Sequence, residues 1–258
     1  TIAGVQIMNA DAGDQITMRA GNNMLVSGGS VQTKALQATA VNNMQLNGGL
    51  LQADVVRLTS EQGTITQQYN NAVAENGGLV HAGDLYITAN QAPSDSLTVD
   101  LGSKFNHLSN IYITDGTQGN IAISSGNDAA GNLSVSVHAT EGAGQLNGSL
   151  TVHNYANGGV NRLVVTDNLK ASGSITLIND EANIEIGANG ATANLEAANI
   201  TLDSKYDVIH VAGTIKATEK ASLEADGNIL LKGGSLSAQN ADFIALGYVD
   251  ETYDNSVA

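Results

Sequence analysis

The chain repeats itself about every twenty residues, and this repetition limits the folds that are open to it. When residues 22–40 are placed over residues 42–60, the triplet Asn-Asn-Met and the pair Gly-Gly coincide, and apolar residues fall on apolar residues. Near the end of the chain, a block that starts at Gly213 aligns in the same way with one that starts at Gly234. A fixed period of this length is typical of a solenoid, in which each repeat stacks on its neighbour.

Within each period, apolar residues alternate with other residues. Segments 111–113, 121–123 and 133–137 all read apolar–any–apolar, which places the apolar side chains on one face of a strand. Turn-forming pairs such as Gly-Gly and Asn-Gly separate many of these runs. Two segments, 67–74 and 188–198, are weaker candidates for helices. The pattern as a whole favours short strands joined by turns.

Three short strands and three turns fit into about twenty residues, which is the content of one coil of a parallel β-helix. We therefore expect an all-β fold, a right-handed parallel β-helix or solenoid, with right-handedness taken by analogy with parallel crossovers. Residues 1–258 would form a single β-helical domain of about thirteen coils (258/20), and the chain would be a fragment of a larger protein. An antiparallel sandwich is the alternative fold. The internal repeat argues against it, because the strands of a sandwich do not usually repeat in sequence.

The composition narrows the classes of function. Ten basic and 25 acidic residues give a net charge of −15, which is not the electrostatic footprint of a nucleic-acid-binding protein or of one held on anionic lipid. The apolar runs are too short for a membrane helix, so we expect no membrane insertion by this segment and no nucleic-acid partner. The absence of cysteine excludes a disulfide scaffold, thiolate zinc sites and cysteine nucleophiles.

Particular motifs within the repeats carry a resemblance to a known family. Residues 63–67 (GTITQ), followed by residues 83–87 (GDLYI), resemble the repeats of filamentous-haemagglutinin-like and autotransporter adhesins. Residues 213–217 (GTIKA) with residues 223–225 (LEA) are similar to the G-x-I-x-A and L-x-A units of the same family. The resemblance covers most of the chain, and its motifs describe the geometry of a β-helix more than an activity.

This resemblance implies a structural and adhesive segment of a large bacterial adhesin that is secreted or exposed on the cell surface. The implied export route is type V secretion, autotransporter or two-partner, from a diderm bacterium, with an outer-membrane translocator as partner during export. The segment would mediate attachment to host cells or other bacteria through a glycan or protein receptor, without a cofactor and without enzymatic activity. A polysaccharide-acting β-helix lyase or hydrolase, the passenger of a secreted toxin and a phage fibre remain as alternatives.

Residues that could bind a metal or carry catalysis are scattered through the chain. The five histidines contain no pair at helical ligand spacing. His138 and His153, fifteen residues apart, could stack on neighbouring coils, but a metal site needs converging ligands. We therefore expect no metal site and no catalytic residues. The acidic residues Asp180, Asp203 and Asp207 would favour the enzyme alternative if folding brought them together in a groove, because glycosidases need two carboxyl groups at a set separation.

One departure from the period points to a loop. After the Gly-Gly pair at 48–49, the next pair should fall near residues 68–69, but it stands at 77–78, which leaves nine extra residues in between. Insertions in solenoids form loops on one face, and that face is often the binding face. The sequence therefore predicts a loop on the side of the solenoid.

This loop supplies the candidate binding residues. Tyr69, Asn70, Asn71 and Glu75 are the side chains that we expect to contact a partner. The alternative is an elongated turn that has no binding role. A second departure from the period surrounds Pro93, the single proline of the chain.

Overall fold

The computed structural model describes residues 2–3, 6–8, 14–72, 77–90, 96–114, 116–126, 133–138, 144–155, 161–180, 182–187 and 193–250. In this part of the chain every regular element is a β-strand, and no helix is present. The two weak helical candidates are therefore wrong where they can be followed. The first continues from a strand into a turn at Asn71, and the second runs into the strand Asn194–Ser204.

Twenty-five strands follow one another along the described residues. In chain order they are β1 (Ile2–Ala3), β2 (Gln6–Met8), β3 (Gln15–Ala20), β4 (Met24–Ser27), β5 (Ser30–Ala40), β6 (Met44–Leu46), β7 (Leu50–Ser60), β8 (Ile65–Gln67), β9 (Leu79–Ala89), β10 (Leu97–Leu101), β11 (His107–Thr114), β12 (Asn120–Ser125), β13 (Leu133–His138), β14 (Leu150–Asn154), β15 (Leu163–Val165), β16 (Leu169–Lys170), β17 (Ser174–Asn179), β18 (Ile184–Ile186), β19 (Asn194–Ser204), β20 (Ile209–Val211), β21 (Thr214–Ala225), β22 (Ile229–Leu231), β23 (Ser235–Ser237), β24 (Asn240–Ala245) and β25 (Val249–Asp250).

The strands form two parallel sheets that run the length of the stack. The first has 13 strands: eleven follow the order β1-β4-β6-β8-β10-β12-β14-β17-β19-β21-β23, while β16 pairs with β19 and β24 pairs with β21 beside this path. The second has 12 strands: eleven follow the order β2-β5-β7-β9-β11-β13-β15-β18-β20-β22-β25, and β3 pairs with β5 beside it. Neighbours in a sheet come from successive coils, so the backbone of each coil pairs with the coils on either side. The predicted parallel β-solenoid is confirmed, and the antiparallel sandwich is wrong.

The number of coils differs from the expected thirteen. The solenoid has about 10 turns, which lie about 21 residues apart. Division by a uniform period overestimates the count because several coils are much longer than the repeat. Two of these long coils are visible in the strand register, where Ile65 pairs with Val99 and Ile121 pairs with Leu150.

The longest strands do not all belong to one sheet. In the first half, the 11-residue strands β5, β7 and β9 belong to the 12-stranded sheet. In the second half, the long strands β19 (11 residues) and β21 (12 residues) belong to the 13-stranded sheet. The long strands therefore belong to different sheets in the two halves of the solenoid.

A single apolar core fills the solenoid from Met18 to Leu236. Its origin is the alternation in the sequence, since every second residue of a strand points to the same side. In β9, for example, Leu85, Ile87 and Ala89 are completely buried. The interior is narrow and is filled by Val, Ile, Leu, Ala and Met side chains, which explains why so few aromatic residues are needed.

Candidate functional site

The predicted insertion follows strand β8. Ser30 pairs with Leu50 one regular repeat away, whereas Leu50 pairs with Leu79, and the longer second interval confirms the nine extra residues. The base of the loop is closed by the amide of Gly78, which donates to the carbonyl of Gln68 over 3.2 Å. A Cβ at Gly78 would lie 2.6 Å from the carbonyl oxygen of Leu46, so only glycine allows this close return to the stack.

Tyr69, the first candidate residue of the loop, is fixed against the next coil. Its hydroxyl hydrogen-bonds the carboxylate of Asp100, which also accepts the amide of Gly102 over 3.1 Å. A side chain at Gly102 would collide with the Tyr69 hydroxyl, so this glycine makes room for the ring. Burial, followed by the negative charge of Asp100, raises the pKa of Tyr69. The ring remains 38% exposed and is held in a defined orientation.

Asn71 also hydrogen-bonds the next coil. Its Nδ2 donates to the carbonyl of Gly102 over 3.3 Å, and its Oδ1 accepts the amide of Lys104 over 2.9 Å. Asn70 acts within the loop, where its Oδ1 accepts the amide of Ala72 over 2.9 Å. Tyr69 and Asn71 are thus brought together, and both anchor the loop. Glu75 lies outside the described residues, as does Pro93 of the second departure.

Residues from later coils extend the surface around Tyr69. His153 and Tyr155 stack with ring centroids 3.6 Å apart, and His153 Nε2 lies 2.8 Å from Asp180 Oδ1. Tyr155 also contributes to the raised pKa of Tyr69, so the two phenols are within electrostatic range of each other. Burial, followed by the charge of Asp180, raises the pKa of Tyr155 itself.

We call this surface the Tyr69 patch. Its members lie on, or directly after, strands β8, β10, β14 and β17, and they are Tyr69, Asp100, His153, Tyr155 and Asp180. Only Tyr69 among these residues is predicted from the sequence to bind a partner. Asp100 joins the patch because it pairs with Thr66, close to Tyr69 in the chain. This pairing could not be predicted from the sequence, because the separation of the two residues does not match the period.

A buried network of amide side chains supports the loop from inside. Gln67 Nε2 donates to Asn106 Oδ1 over 2.7 Å, and Asn106 Nδ2 donates to the carbonyl of Leu101 over 3.0 Å. The amide of Val80 donates to Asn106 Oδ1 over 3.0 Å, and that of Ser103 donates to Gln67 Oε1 over 3.1 Å. These side chains replace backbone partners that are lost where the chain leaves the stack, as buried polar groups require.

The backbone places His138 and His153 in different sheets. His138 pairs within the 12-stranded sheet and His153 within the 13-stranded sheet, so the two are not at equivalent positions on neighbouring coils. The stacked pair is instead His81 and His107, with ring centroids 4.2 Å apart and an interplanar angle of 8°. Burial, followed by the neighbouring His107, lowers the pKa of His81. No group of three His, Asp or Glu side chains in the described part of the chain could hold a metal ion.

Two of the acidic residues considered for catalysis have another side-chain partner, and these are Asp180 and Asp203. Asp180 bonds His153, and Asp203 forms an ion pair with Lys205. Both aspartates contribute to the raised pKa of Lys205, whose largest cause is the hydrogen bond to Asp203. Asp207 lies in the following turn, where its carbonyl accepts the amide of Gly227. Asp203 therefore has a counter-charge and Asp180 a hydrogen-bond partner among the described residues.

Comparison with protein-family models, with curated proteins and with solved structures finds no match to this chain. No helix among the described residues is long and apolar enough to span a membrane.

Proposed function

We propose that the chain is a structural and adhesive β-solenoid segment of a bacterial adhesin that is secreted or exposed on the cell surface. The observation that carries the proposal is the combination of a stack of about 10 turns with a loop that is held on its outside. The stack keeps its register across the extra residues. A rod that tolerates insertions in this way can carry a contact surface without disturbing its own fold.

The Tyr69 patch is the surface that we assign to this contact. Binding is strengthened when a side chain is already fixed in its bound orientation, because less conformational entropy is lost. Tyr69 meets this condition through its bond to Asp100 and its fit over Gly102. Tyrosine is also frequent among the residues that dominate binding energy at interfaces. The proposed receptor is a glycan or protein on a host cell or on another bacterium.

Export of the segment belongs to the same proposal. A diderm bacterium would release it by a type V route, through an outer-membrane translocator. An elongated solenoid suits this route because its coils add one by one and each needs only its neighbours for stability.

Binding to intact cells tests the proposal. The purified, fluorescently labelled protein is titrated onto epithelial cells and onto diderm bacteria, with unlabelled protein as competitor. The substitution Tyr69→Ser should weaken saturable binding about tenfold or more, the loss expected for an interfacial anchor. Tyr206→Ser is the matched control, since Tyr206 is a 72% exposed tyrosine in a turn of another coil.

Two results would count against the proposal. The first is the absence of saturable binding to any of the cells. The second is an equal loss of binding for the two tyrosine variants, which would separate binding from the Tyr69 patch.

A further inference from the structure

A second polar surface lies in the C-terminal half, on the outside of the 13-stranded sheet. It is a hollow of about 300 Å³ over strands β16, β19 and β21. Its polar lining is formed by Asn168, Lys170, Asn194, Glu196, Thr214 and Lys216, and we call it the lysine groove. Lys216 also borders an adjoining hollow that is lined by Thr218, Ser237 and Gln239. The volume of the lysine groove is at the lower end of the range for small-molecule sites.

The charged residues of the groove form a column across three strands. Lys170 lies opposite Glu196 on the next coil, and Glu196 lies opposite Lys216 on the coil after that. Lys170 Nζ is 3.3 Å from Glu196 Oε2, and Lys216 Nζ is 3.2 Å from Glu196 Oε1. Two ammonium groups therefore share one carboxylate, which leaves the groove with one excess positive charge.

This charge balance is unusual for the molecule. The chain as a whole has a net charge of −15, and the other ion pairs among the described residues join one cation to one acid. These one-to-one pairs are Arg19–Glu61, Arg162–Glu185, Lys205–Asp203, Lys220–Asp242 and Lys232–Asp250. Hydrogen bonds from Lys216 and Lys170 lower the pKa of Glu196, so its carboxylate stays ionised and the excess charge of the groove persists.

The ammonium groups keep hydrogen-bonding capacity for a ligand. Each lysine has three N–H donors, and each uses one on Glu196 in the contacts described. Lys216 is directed outward, with 56% of its side chain exposed. The aliphatic part of each lysine offers apolar surface beside the charged head.

A second column of neutral polar groups runs beside the charged one. Asn194 Nδ2 donates to Asn168 Oδ1 over 2.7 Å, and Ser235 Oγ donates to Thr214 Oγ1 over 3.3 Å. Asn194 stands two residues before Glu196, and Thr214 two residues before Lys216, so both columns face outward on the same strands. The groove thus places amide and hydroxyl groups next to a positive charge.

We propose that the lysine groove binds a sugar that carries one carboxylate, such as a uronic or sialic acid unit. The carboxylate accepts hydrogen bonds from Lys216 and Lys170, which are charge-assisted and therefore strong. The sugar hydroxyls exchange hydrogen bonds with Asn168, Asn194 and Thr214, and the C–H face packs on the lysine stems. A single carboxylate suits a single excess charge, whereas a long polyanion would be repelled by the rest of this acidic protein.

This site lies on other strands than the Tyr69 patch and goes beyond the proposed adhesive function. Its test is independent of any cell. Glucuronate and N-acetylneuraminate are titrated separately into the labelled protein, and amide shifts are followed by NMR. Their methyl esters, which keep the hydroxyls and lose the charge, and glucose serve as comparison ligands. Each acid that binds should bind about tenfold more tightly than its ester, because a hydrogen bond to a charged group is lost in the ester.

Variants locate the site. Lys216→Met keeps the aliphatic stem and removes the charge, and it should weaken binding of the acid about tenfold. Glu196→Gln removes the competing carboxylate and should tighten binding several-fold. Lys220→Met is the matched control, since Lys220 pairs with Asp242 outside the groove, and Tyr69→Ser should also leave binding of the acid unchanged.

The proposal is overturned if neither acid binds, or if each binds no better than its ester. It is also overturned if Lys216→Met retains the native circular dichroism spectrum and binds the acids as well as the wild type. The comparison of acid with ester uses the unmodified protein, so it stands even if a variant fails to fold. Loss of cell binding by Tyr69→Ser together with retained binding of the acid would separate this site from the adhesive one.

Discussion

The regular coils and the irregular coils of the solenoid differ in how they satisfy their backbone. In the regular region, Met24 pairs with Met44 one repeat later, and each coil simply bonds the next. In the irregular region, Ile65 pairs with Val99, which is more than one repeat away in the sequence, and the chain between them leaves the stack. In this region and in the coils after it, buried polar side chains hydrogen-bond the backbone. These side chains are Gln67, Asn106, Ser125, Asn154 and Asn179.

Interior polar side chains determine where this solenoid accepts extra chain. A loop can leave a corner when an interior amide or hydroxyl takes over the backbone groups that have lost their partners. Ser125 Oγ accepts the amide of Leu108 in this way, and Asn179 Nδ2 donates to the carbonyl of Asn183. The polar interior is thus the structural condition for the surface loops on which our proposed binding site depends.

The largest expected effect on stability comes from removing the side-chain amide of Asn106, which lies at the centre of the buried amide network below the loop. Asn106→Leu should lower the free energy of unfolding by about 4 kcal/mol, because several buried partners lose their hydrogen bonds together. Urea unfolding followed by circular dichroism measures the change. The matched control is Asn42→Leu in the regular region, where the exposed Asn42 Nδ2 bonds Asn22 Oδ1 over 2.6 Å, and it should change stability by less than about 0.5 kcal/mol. Equal effects of the two substitutions would contradict the difference between the regions.

The regular region was predictable from the sequence because its repeat is visible there. The coincidence of residues 22–40 with 42–60 gave the correct register, and the displaced Gly-Gly pair at 77–78 gave the correct size of the insertion. Both predictions come from comparing two neighbouring coils whose sequences are similar. The alternation of apolar residues was sufficient to predict the strands and the core.

The irregular region was not predictable in the same way. The register of Thr66 with Asp100 and the stacking of His81 on His107 join residues whose separations do not match the period. Nothing in the spacing indicates that Asn106 lies inside the solenoid and hydrogen-bonds Gln67. The candidate residues of the loop were predicted from their place in the insertion. Their hydrogen bonds to the next coil depend on the pairing of Thr66 with Asp100, which the sequence does not reveal.

Two glycines with positive φ test how tightly the turns of the two regions are stacked. In the regular region Gly49 has φ +83°, and a Cβ there would collide with the carbonyl oxygen of Gly29 and lie 2.8 Å from the carbonyl carbon of Gly28. In the irregular region Gly116 has φ +78°, but a Cβ there would meet nothing within 4 Å. Gly116→Ala should therefore cost about 1 kcal/mol, the cost of the left-handed conformation alone. Gly49→Ala should cost about 3 kcal/mol, because backbone must also move.

Thermal unfolding of the two glycine variants, read against the wild type, measures this difference. A Gly49→Ala variant that is as stable as Gly116→Ala would mean that the regular turns are not stacked as closely as described.

The histidine stack at the edge of the irregular region should make stability depend on pH. The pKa of His81 in the folded protein lies below the ordinary value of 6.5, so the unfolded chain takes up a proton more readily than the folded one. This contribution is therefore fully present above pH 6.5 and is lost as the pH falls through the lowered pKa of the folded state. His81→Gln, which places glutamine opposite Gln52 as in the preceding coil, should remove this part of the pH dependence.

Unfolding midpoints of the wild type and of His81→Gln between pH 7.5 and pH 5 are the measurement. The wild type should lose more stability than the variant over this interval. Parallel curves for the two proteins would show that the stack does not titrate in this way.

The smallest expected effect concerns the hydroxyl that anchors the loop. Tyr69→Phe removes the bond to Asp100 at a partly exposed site and should lower the free energy of unfolding by about 0.5 to 1 kcal/mol. Tyr206→Phe, at a more exposed position in a turn, should have no measurable effect. Urea unfolding measures the stability of the two variants. A loss of stability in Tyr69→Phe alone shows that the Tyr69 hydroxyl anchors the loop, and equal stability of the two variants would contradict this.

The central claim is that the stack keeps its register while extra chain leaves it at the corner. Because the chain has no cysteine, pairs of introduced cysteines test this register without background. Gln52 pairs with His81 across the insertion, and paired residues on neighbouring strands are close enough for a disulfide bond. We predict that Gln52→Cys with His81→Cys cross-links on oxidation, and that Gln52→Cys with Ala72→Cys, the pair expected for an uninterrupted repeat, does not. Cross-linking of the second pair without the first would contradict the account.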